Sequence, residues 1–378
     1  MRIAFLSWRD LANDLSGGSE VFIDRLAVEL TGMGHEVAHL CGGPVAPRPY
    51  RVVNLGGTFA QYARAPFAYR RTVQDWDLLV DTENGLPYFS PLWRRGPILA
   101  LVHHVHSDQW EQRFSRPLAA VGRFTEAKIM PLVYRRVPFV SASPSTTSAL
   151  VAIGVDRDQI RVVYPGADHP QIAGVGRCET PMFVCVGRLM PHKRIDLLLK
   201  AWGRVYSAVG GRLVVIGDGP ERESLEAMAG PGVTFTGRVG EDEKWRLMGQ
   251  AWVLIHTAHH EGWGMVISEA SVVGTPAIGF DVPGVRDAIV DGTSGVLVHT
   301  EDELVSSWIQ LATDSAYRNQ LSEGAQRHSA LFDWNNVARE FEAIAIETVQ
   351  AGRRQRARPR PGHLAIGTET ARPPKAHE

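Results

Sequence analysis

Short apolar segments alternate with amphipathic helical segments along most of this chain, and this alternation limits the folds that it can adopt. Residues 2–8 form an apolar strand candidate, and a helical pattern follows over residues 20–33, where apolar residues recur on one face. Residues 36–41 then return to a strand pattern. A strand, a helix and a strand in this order are typical of a βαβ unit, in which the two strands run parallel.

The alternation continues through both halves of the chain. Further strand candidates in the first half lie at residues 51–55, 78–81, 98–103, 139–142 and 160–164. Those in the second half lie at residues 182–186, 213–216, 233–235, 253–256, 276–280 and 295–298. These strands are rich in Val, Ile and Leu, which is typical of parallel sheets that are covered on both faces. The sequence therefore predicts an α/β protein with two doubly wound, Rossmann-like domains.

A change of composition near the middle of the chain separates the two predicted domains. We place the first domain at residues 1–166 and the second at residues 182–334, joined by a Gly- and Pro-rich linker at residues 167–181. Residues 335–350 show a helical pattern, and we expect this helix to pack back across the first domain. Residues 351–378 are rich in Arg and Pro, and we expect a disordered basic tail.

Charge and cysteine content exclude several classes of protein. The chain carries 40 Lys and Arg against 41 Asp and Glu, which gives no reason to expect a nucleic-acid partner. Cys41, Cys178 and Cys185 indicate neither a disulfide framework nor a cysteine-based metal site. The N-terminal apolar run is too short for a signal peptide, and no stretch approaches the roughly 20 apolar residues that span a bilayer. These observations predict a cytoplasmic protein.

The segment from Glu261 to Glu269 is the most informative one in the sequence. A strand ends before it, a loop with Gly262 and Gly264 follows, and a helix begins near Gly264. Such a junction directs backbone N–H groups and the positive end of a helix at one point, which suits a phosphate. The two carboxylates are spaced to flank a nucleotide-sugar on either side of its diphosphate. An ordinary βα turn with a solvated glutamate is the alternative.

Two more strand ends in the same domain carry polar loops. Gly187 and Arg188 directly follow the domain's first strand, with Lys193 shortly after, and Gly217 opens a second Gly-rich turn. Because the carboxyl ends of parallel strands meet at one edge of a sheet, these loops are expected to form a crevice. Arg188 and Lys193 would place two cations where an anion binds, and solvated loop charges are the alternative.

The first domain contains three histidines, His103, His104 and His106, directly after a strand. Their position at a strand end directs them toward a crevice as well. Structural or surface roles are the alternative for each of them. Metal ligation is a weaker alternative, since no cysteine or carboxylate partners are evident nearby in the sequence.

In their order and spacing, these motifs resemble those of the retaining glycosyltransferases of family 4. The resemblance rests on Gly17-Gly18-Ser19-Glu20, Gly187-Arg188 with Lys193, Gly217-Asp218-Gly219-Pro220, Gly237-Arg238-Val239, and the pair Glu261 and Glu269. It covers nearly all of residues 1–350, and it is strongest from residue 182 to residue 299. The resemblance implies the GT-B fold, in which two Rossmann-like domains face a cleft.

The resemblance also implies roles for individual residues. Arg188 and Lys193 would bind the donor diphosphate and neutralise it as it departs. Glu269 would hold the ribose hydroxyls, and Glu261 would contact hydroxyls of the donor sugar. The other implied donor contacts are Gly17, Gly18, Gly187, Gly217, Gly262, Trp263, Gly264, Met265 and Val266, with Arg238 and Val239 near the base. His103 or His104 would lie near the reacting sugar.

The implied reaction transfers a hexosyl or N-acetylhexosaminyl group from a nucleotide-sugar to an unknown glycan, lipid-linked or small-molecule acceptor. It would retain the anomeric configuration and require neither a metal nor another cofactor. A sugar-nucleotide epimerase of the same architecture and an inactive nucleotide-sugar-binding homologue stay open as alternatives. An NAD-dependent oxidoreductase is disfavoured, because the loop at residues 13–19 lacks the G-x-G-x-x-G fingerprint.

Residues 113–136 form an amphipathic stretch in which Arg and Lys alternate with apolar side chains. Such a surface could rest on the inner face of an anionic membrane, which would fit a lipid-linked acceptor. The basic tail could add a second electrostatic contact. A solvated helix face is the reading that we favour, because Pro131 interrupts the stretch.

Overall fold

The structure is a computed structural model, and it describes residues 1–83, 85–106, 110–170 and 176–357. This part of the chain forms two α/β domains, each built on one sheet. The strands of the first sheet are β1 (Arg2–Arg9), β2 (Glu36–Gly42), β3 (Arg51–Asn54), β4 (Leu78–Glu83), β5 (Ile98–Val102), β6 (Phe139–Ser141) and β7 (Ile160–Val162). Those of the second are β8 (Met182–Val186), β9 (Arg212–Ile216), β10 (Val233–Gly237), β11 (Val253–His256), β12 (Ala277–Phe280) and β13 (Gly295–Val298).

Both sheets are parallel, and each winds outward in both directions from its first strand. The first sheet has the order β3-β2-β1-β4-β5-β6-β7, and the second has the order β10-β9-β8-β11-β12-β13. In the first sheet, Ile3 of β1 pairs with Val37 of β2 on one side and with Leu78 of β4 on the other. The predicted fold class, with two doubly wound, Rossmann-like domains, is confirmed.

Helices connect the strands and cover the sheets. In the first domain they are α1 (Gly18–Gly32), α2 (Ala60–Thr72), α3 (Ser90–Trp93), α4 (Trp110–Arg113), α5 (Arg116–Phe124), α6 (Met130–Val133) and α7 (Pro144–Ala152). In the second they are α8 (Ile195–Val209), α9 (Arg222–Ala227), α10 (Glu241–Gln250), α11 (Met265–Val272), α12 (Val285–Ala288), α13 (Glu301–Thr313) and α14 (Ser315–Ser329). The last helix is α15 (Trp334–Ala357).

The central strands are buried along their whole length, which explains their continuous apolar sequences. Every residue of β4 and of β8 is buried. The core of the second domain contains Phe183 packed against Trp202 and Trp308, with ring centroids 5.7 and 5.3 Å apart. Aromatic packing of this kind fixes the helices against the sheet and leaves the loops at its edge to form the site.

The helix α15 belongs to the second half of the sequence but packs on the first domain. Its residues Val337, Ala338, Phe341 and Ala345 join the core formed by β1 and α1. The ring of Phe341 is fully buried and stacks on Phe5 with centroids 5.9 Å apart.

The helix also extends further than the sequence analysis expected. Residues 351–357 continue α15, although they were assigned to a disordered tail. The guanidinium of Arg353 donates to Asp77 at 3.0 Å, and this contact ties the added turns to the first domain. The rest of the expected tail, residues 358–378, lies outside the described residues.

The amphipathic stretch of the first domain is helical from Arg116 to Val133. A π-helical segment, Thr125–Ile129, joins α5 to α6, so Pro131 lies in the first turn of α6. Leu118, Phe124 and Leu132 are exposed on this surface. None of the helices within the described ranges combines the length and the apolar character that crossing a bilayer requires.

The packing of α15 generates a prediction about stability. The substitution Phe341→Ala removes a fully buried ring and should lower the free energy of unfolding by about 3–5 kcal/mol. Urea denaturation measures this change, and Ile346→Ala, an exposed position on the same helix, serves as the matched control. Equal effects of the two substitutions would contradict the assignment of α15 to the core of the first domain.

Candidate functional site

A cavity of about 340 Å³ lies between the two domains, where the carboxyl ends of β1, β5, β8 and β11 meet. Ligands of open parallel sheets bind at this edge. The predicted site residues that line the cavity are Gly17, Gly18, His103, His104, Gly187, Arg188, Lys193, Glu261, Gly262, Trp263, Gly264, Met265, Val266 and Glu269.

Lys193 and Glu261 form an ion pair in the wall of this cavity. Both side chains are about 15% exposed, and Nε2 of the buried His256 lies 3.0 Å from the same carboxylate oxygen of Glu261. Burial alone would raise the pKa of Glu261, yet the Lys193 ammonium and the His256 imidazole hold that pKa well below its usual value. Glu261 is therefore an anion that is fixed in place by two partners.

Arg188 spans the cleft from the second domain to the first. Its guanidinium donates to the backbone carbonyl of Leu15 at 3.0 Å. Arg9 donates to the same carbonyl at 2.6 Å and forms an ion pair with Glu20 at 3.4 Å. The loop that contains Leu15 is thus held between two arginines, one from each domain.

The backbone around Gly262 and Gly264 forms the floor of the cavity. Gly264 has a φ of +89° and precedes the first turn of α11, so the free N–H groups of that helix face the cleft. A Cβ atom on Gly262 would lie 2.7 Å from the carbonyl oxygen of His103 in the other domain. Only glycine allows this approach.

Glu269 also lies in the cavity wall, on α11, and pairs with a lysine from α10. The ammonium of Lys244 is 3.3 Å from Glu269 and 2.8 Å from Glu241. Burial raises the pKa of Glu269, and Lys244 only partly offsets this effect. The carboxylate therefore has one fixed cationic partner and a second oxygen available for a ligand.

The histidines differ strongly in their surroundings. His103 is only 6% exposed, its ring packs edge-on against Phe22 at 5.2 Å, and burial lowers its pKa to about 4. The rings of His104 and His106 lie 4.0 Å apart, and the ring of His260 from the second domain lies 5.4 Å from His104. His103 is therefore a neutral imidazole, and His104 and His260 form a contact between the domains.

Three predicted site residues are not among the described residues that line the cavity. Gly217 has a φ of +134° and packs so closely on the carbonyl of Gly187 that no side chain fits, so it supports the Gly187 loop from behind. Arg238 donates to the carbonyl of Asp14 at 2.7 Å and is largely exposed. Val239 packs against the core of the second domain.

Several lining residues were not among the predicted ones, namely Trp8, Arg9, Glu20, His192, Lys244 and His260. Trp8 and Arg9 end β1, and strand-end position is a signal that could have identified them. Lys244 gave no such signal, because its spacing to Glu241 is that of an ordinary ion pair on a helix surface. Its contact with Glu269 joins two helices, so no pattern within a single segment of the sequence predicts it.

Two family models match the chain, one on each domain. The model described as Glycosyltransferase Family 4 matches residues 16–170, and the model described as Glycosyl transferases group 1 matches residues 176–328. Together they take in most of the chain, with the second covering all the residues of the cavity that the second domain supplies.

Relatives of known name match part of the chain. The D-inositol 3-phosphate glycosyltransferase of Geodermatophilus obscurus is 31% identical over 257 residues, which are 58% of this chain and 56% of the relative. The enzyme of the same name from a Nocardioides species is 29% identical over 218 residues, 49% of this chain and 48% of the relative. The chain thus spans about half the length of the curated relatives that it matches.

Solved structures match nearly all of the chain. Anabaena HepE in complex with UDP and glucose has a TM-score of 0.72 at 18% identity, covering 92% of this chain and 100% of HepE. The sucrose-phosphate synthase from Thermosynechococcus elongatus has a TM-score of 0.78 at 19% identity, covering 93% of this chain and 99% of that one. At these identities the likeness shows a common fold.

The ion pair of Glu261 generates a prediction about pH. Because the folded pKa of Glu261 lies below the ordinary value of 4.5, the pair stabilises the fold above that pH. This stabilisation is lost as the pH falls from 4.5 toward the folded pKa. Glu261→Gln should therefore flatten the pH dependence of the free energy of unfolding, measured by urea denaturation between about pH 3 and pH 6. Glu347→Gln, at an exposed position, should keep the wild-type slope; a wild-type slope in Glu261→Gln would contradict the prediction.

Proposed function

Because the chain belongs to the glycosyl transferases group 1 family, we propose that it transfers a sugar from a nucleotide-sugar to an acceptor hydroxyl with retention at the anomeric carbon. The observation that carries this proposal is the convergence of Arg188, Lys193 and the N-terminus of α11 on one cavity between the domains. These three features provide positive charge and N–H donors at a single place.

Stabilisation of the leaving diphosphate is the main task of the site. Negative charge develops on the phosphate oxygen as its bond to the sugar breaks, and fixed cations and dipoles stabilise that charge. Arg188 donates to the neutral carbonyl of Leu15, so a phosphate can replace this carbonyl as the acceptor without breaking an ion pair. Lys193 has three N–H donors, and it can keep Glu261 while donating to a phosphate oxygen.

The transfer step then follows from this arrangement. The bond between the anomeric carbon and the diphosphate breaks, and the acceptor oxygen bonds to the same face of that carbon. The acceptor proton passes to the departing phosphate oxygen, so no separate general base is required. Glu261 would orient hydroxyls of the donor sugar, and the neutral His103 can donate or accept a hydrogen bond there.

The nucleoside would be held by the second domain. Glu269 would accept hydrogen bonds from the ribose hydroxyls, and Lys244 fixes the carboxylate for that contact. The base is expected near Arg238 and Val239, the latter being packed beside the cavity wall in the core of this domain.

The named relatives indicate which donors and acceptors should be tested first. HepE is solved with UDP and glucose, so UDP is the first nucleotide to test, with both hexose and N-acetylhexosamine donors. The relatives named D-inositol 3-phosphate glycosyltransferase make that phosphorylated cyclitol the first acceptor to test. A lipid-linked acceptor is the second, since Leu118, Phe124 and Leu132 expose an apolar surface on the first domain, where membrane contact is the alternative to a solvated helix face.

Nucleotide binding provides the first test. UDP, GDP, dTDP and NAD are compared by thermal shift, with and without magnesium, and one nucleoside diphosphate should stabilise the wild type by about 2.7 kcal/mol at a hundredfold excess over its Kd. Glu269→Gln should weaken that binding roughly 10–100-fold, because a hydrogen bond to a charged group is lost. Glu223→Gln, exposed on α9, should bind as the wild type does. Stabilisation by NAD alone would contradict the proposal.

A product assay separates transfer from the alternatives. The nucleotide-sugar is incubated with and without acceptor, and proton NMR of the sugar compares its anomeric configuration in donor and product. Transfer predicts an acceptor-dependent product of unchanged configuration. An altered donor sugar in the absence of acceptor would indicate an epimerase, and binding without turnover of any donor would indicate an inactive homologue.

Removal of the cleft arginine tests the leaving-group role. Arg188→Ala should lower kcat by roughly 10²–10³, because a preorganised charge is lost from the transition state. Arg204→Ala removes an exposed arginine from α8 and serves as the matched control in the same steady-state assay. A near-normal kcat in Arg188→Ala would exclude Arg188 from this role.

A further inference from the structure

A second cluster of buried polar side chains lies where β1 and β2 end, beside the cleft but outside the lining of its cavity. Asp10 directly follows β1. His39 and Cys41 are two positions apart on β2, so their side chains point to the same face of the sheet. The three residues are 1%, 2% and 0% exposed. Charged and polar groups this deeply buried require partners.

The atoms that face the centre of this cluster have no hydrogen-bond partner among the described residues. Oδ2 of Asp10 and Nδ1 of His39 are both buried and unpartnered, and they lie 4.0 Å apart. That separation is too long for a hydrogen bond between them. Sγ of Cys41 completes a group whose ligand atoms all lie within 4.8 Å of one another.

The other polar atom of each residue is held from behind. Oδ1 of Asp10 accepts from the backbone N–H of Ala12 at 2.8 Å and from Arg48 at 3.3 Å. Nε2 of His39 lies 2.6 Å from the hydroxyl of Ser7. This is the arrangement in which metal ligands are held, since outer hydrogen bonds orient each side chain and leave its inner atom for the ion.

We propose that Asp10, His39 and Cys41 bind a Zn²⁺ ion through Oδ2, Nδ1 and Sγ, with water as the fourth ligand. One carboxylate, one imidazole and one thiolate suit Zn²⁺ and disfavour Mg²⁺ and Ca²⁺, which prefer oxygen ligands. Tetrahedral bonds of about 2.0–2.3 Å bring ligand atoms to roughly 3.3–3.6 Å from one another. Side-chain movements of about 1 Å close the present spacing.

The charges around the proposed site balance. On binding, the Cys41 thiol releases its proton to solvent, and the thiolate and the Asp10 carboxylate neutralise the dication. The guanidinium of Arg48 also faces the cluster, and its charge is matched by Asp24, whose carboxylate lies 3.3 Å from Nε of Arg48. Asp24 is held in turn by the hydroxyl of Tyr50 at 2.6 Å.

The position of the ion gives it a structural role. Asp10 begins the loop that leads to Leu15, whose carbonyl accepts a hydrogen bond from Arg188 across the cleft. A metal on Asp10 would fix this loop at its first residue. The ion would not touch the donor, so the inference stands independently of the proposed transfer reaction.

Metal binding to the full chain tests the proposal. Purified protein is stripped with a chelator, dialysed against Zn²⁺ and analysed by elemental mass spectrometry, and one equivalent of zinc should remain. With Co²⁺ in place of Zn²⁺, a thiolate charge-transfer band should appear in the near ultraviolet. Cys41→Ser should abolish that band and weaken zinc binding more than about 100-fold, since changes even in the outer shell cost roughly 10–100-fold.

The matched control is Cys185→Ser, which alters the other buried cysteine, in the second domain. This variant should still bind one equivalent of zinc and should show the same charge-transfer band with Co²⁺. Circular dichroism establishes that each variant is folded, and if Cys41→Ser does not fold, X-ray absorption of zinc in the wild type should show one sulfur ligand. Less than about a tenth of an equivalent of zinc in the folded wild type, a band unchanged by Cys41→Ser, or zinc without a sulfur ligand would each overturn the proposal.

Discussion

The cleft depends on the two segments that connect the domains, because these segments are bonded to each other where they cross. The N–H of Ala167, on the outward passage, donates to the carbonyl of Phe332 on the return at 2.7 Å. The ring of Trp334 then packs directly on Gly166. From that point α15 is anchored in the core of the first domain by Phe341. The two sheets consequently present their carboxyl edges to each other, and every functional loop begins from one of those edges.

Within the cleft, the charged groups are already partnered before any ligand binds. Desolvation would make an isolated ammonium or carboxylate unstable there, and each is compensated by a neighbour. Lys193 pairs with Glu261, and Lys244 pairs with Glu269. The pairing orients each group, so that in the proposed reaction the diphosphate and its nucleoside would meet a rigid arrangement and would require little reorganisation on binding. Arg188 differs, because its partner is a carbonyl of the opposite domain.

Much of the fold and part of the site could be predicted from the sequence, and the difference lies in the range of the interactions. Strand order along the chain and strand-end loops are local patterns, and they led to Arg188, Lys193 and Glu261. The Lys244 contact and the cluster around His39 join segments far apart in the sequence. The periodicity of apolar residues within a segment does not predict contacts of this kind. The extension of α15 past residue 350 was missed for a related reason, since Arg353 gains its partner Asp77 only through tertiary packing.

The distance between the domains is set by backbone as much as by side chains, and this has a consequence for specificity. Gly262 approaches the carbonyl of His103 so closely that any side chain would force the domains apart. The same contact brings His260 to His104, and Arg188 to the carbonyl of Leu15. Because this contact is between backbone atoms, a change of rotamer cannot relieve it, and it sets a lower limit to the distance between the domains at this point. In the proposed reaction, selection among donor sugars would depend on the side chains that line the cavity beside this contact, among them His104, Glu261 and His260.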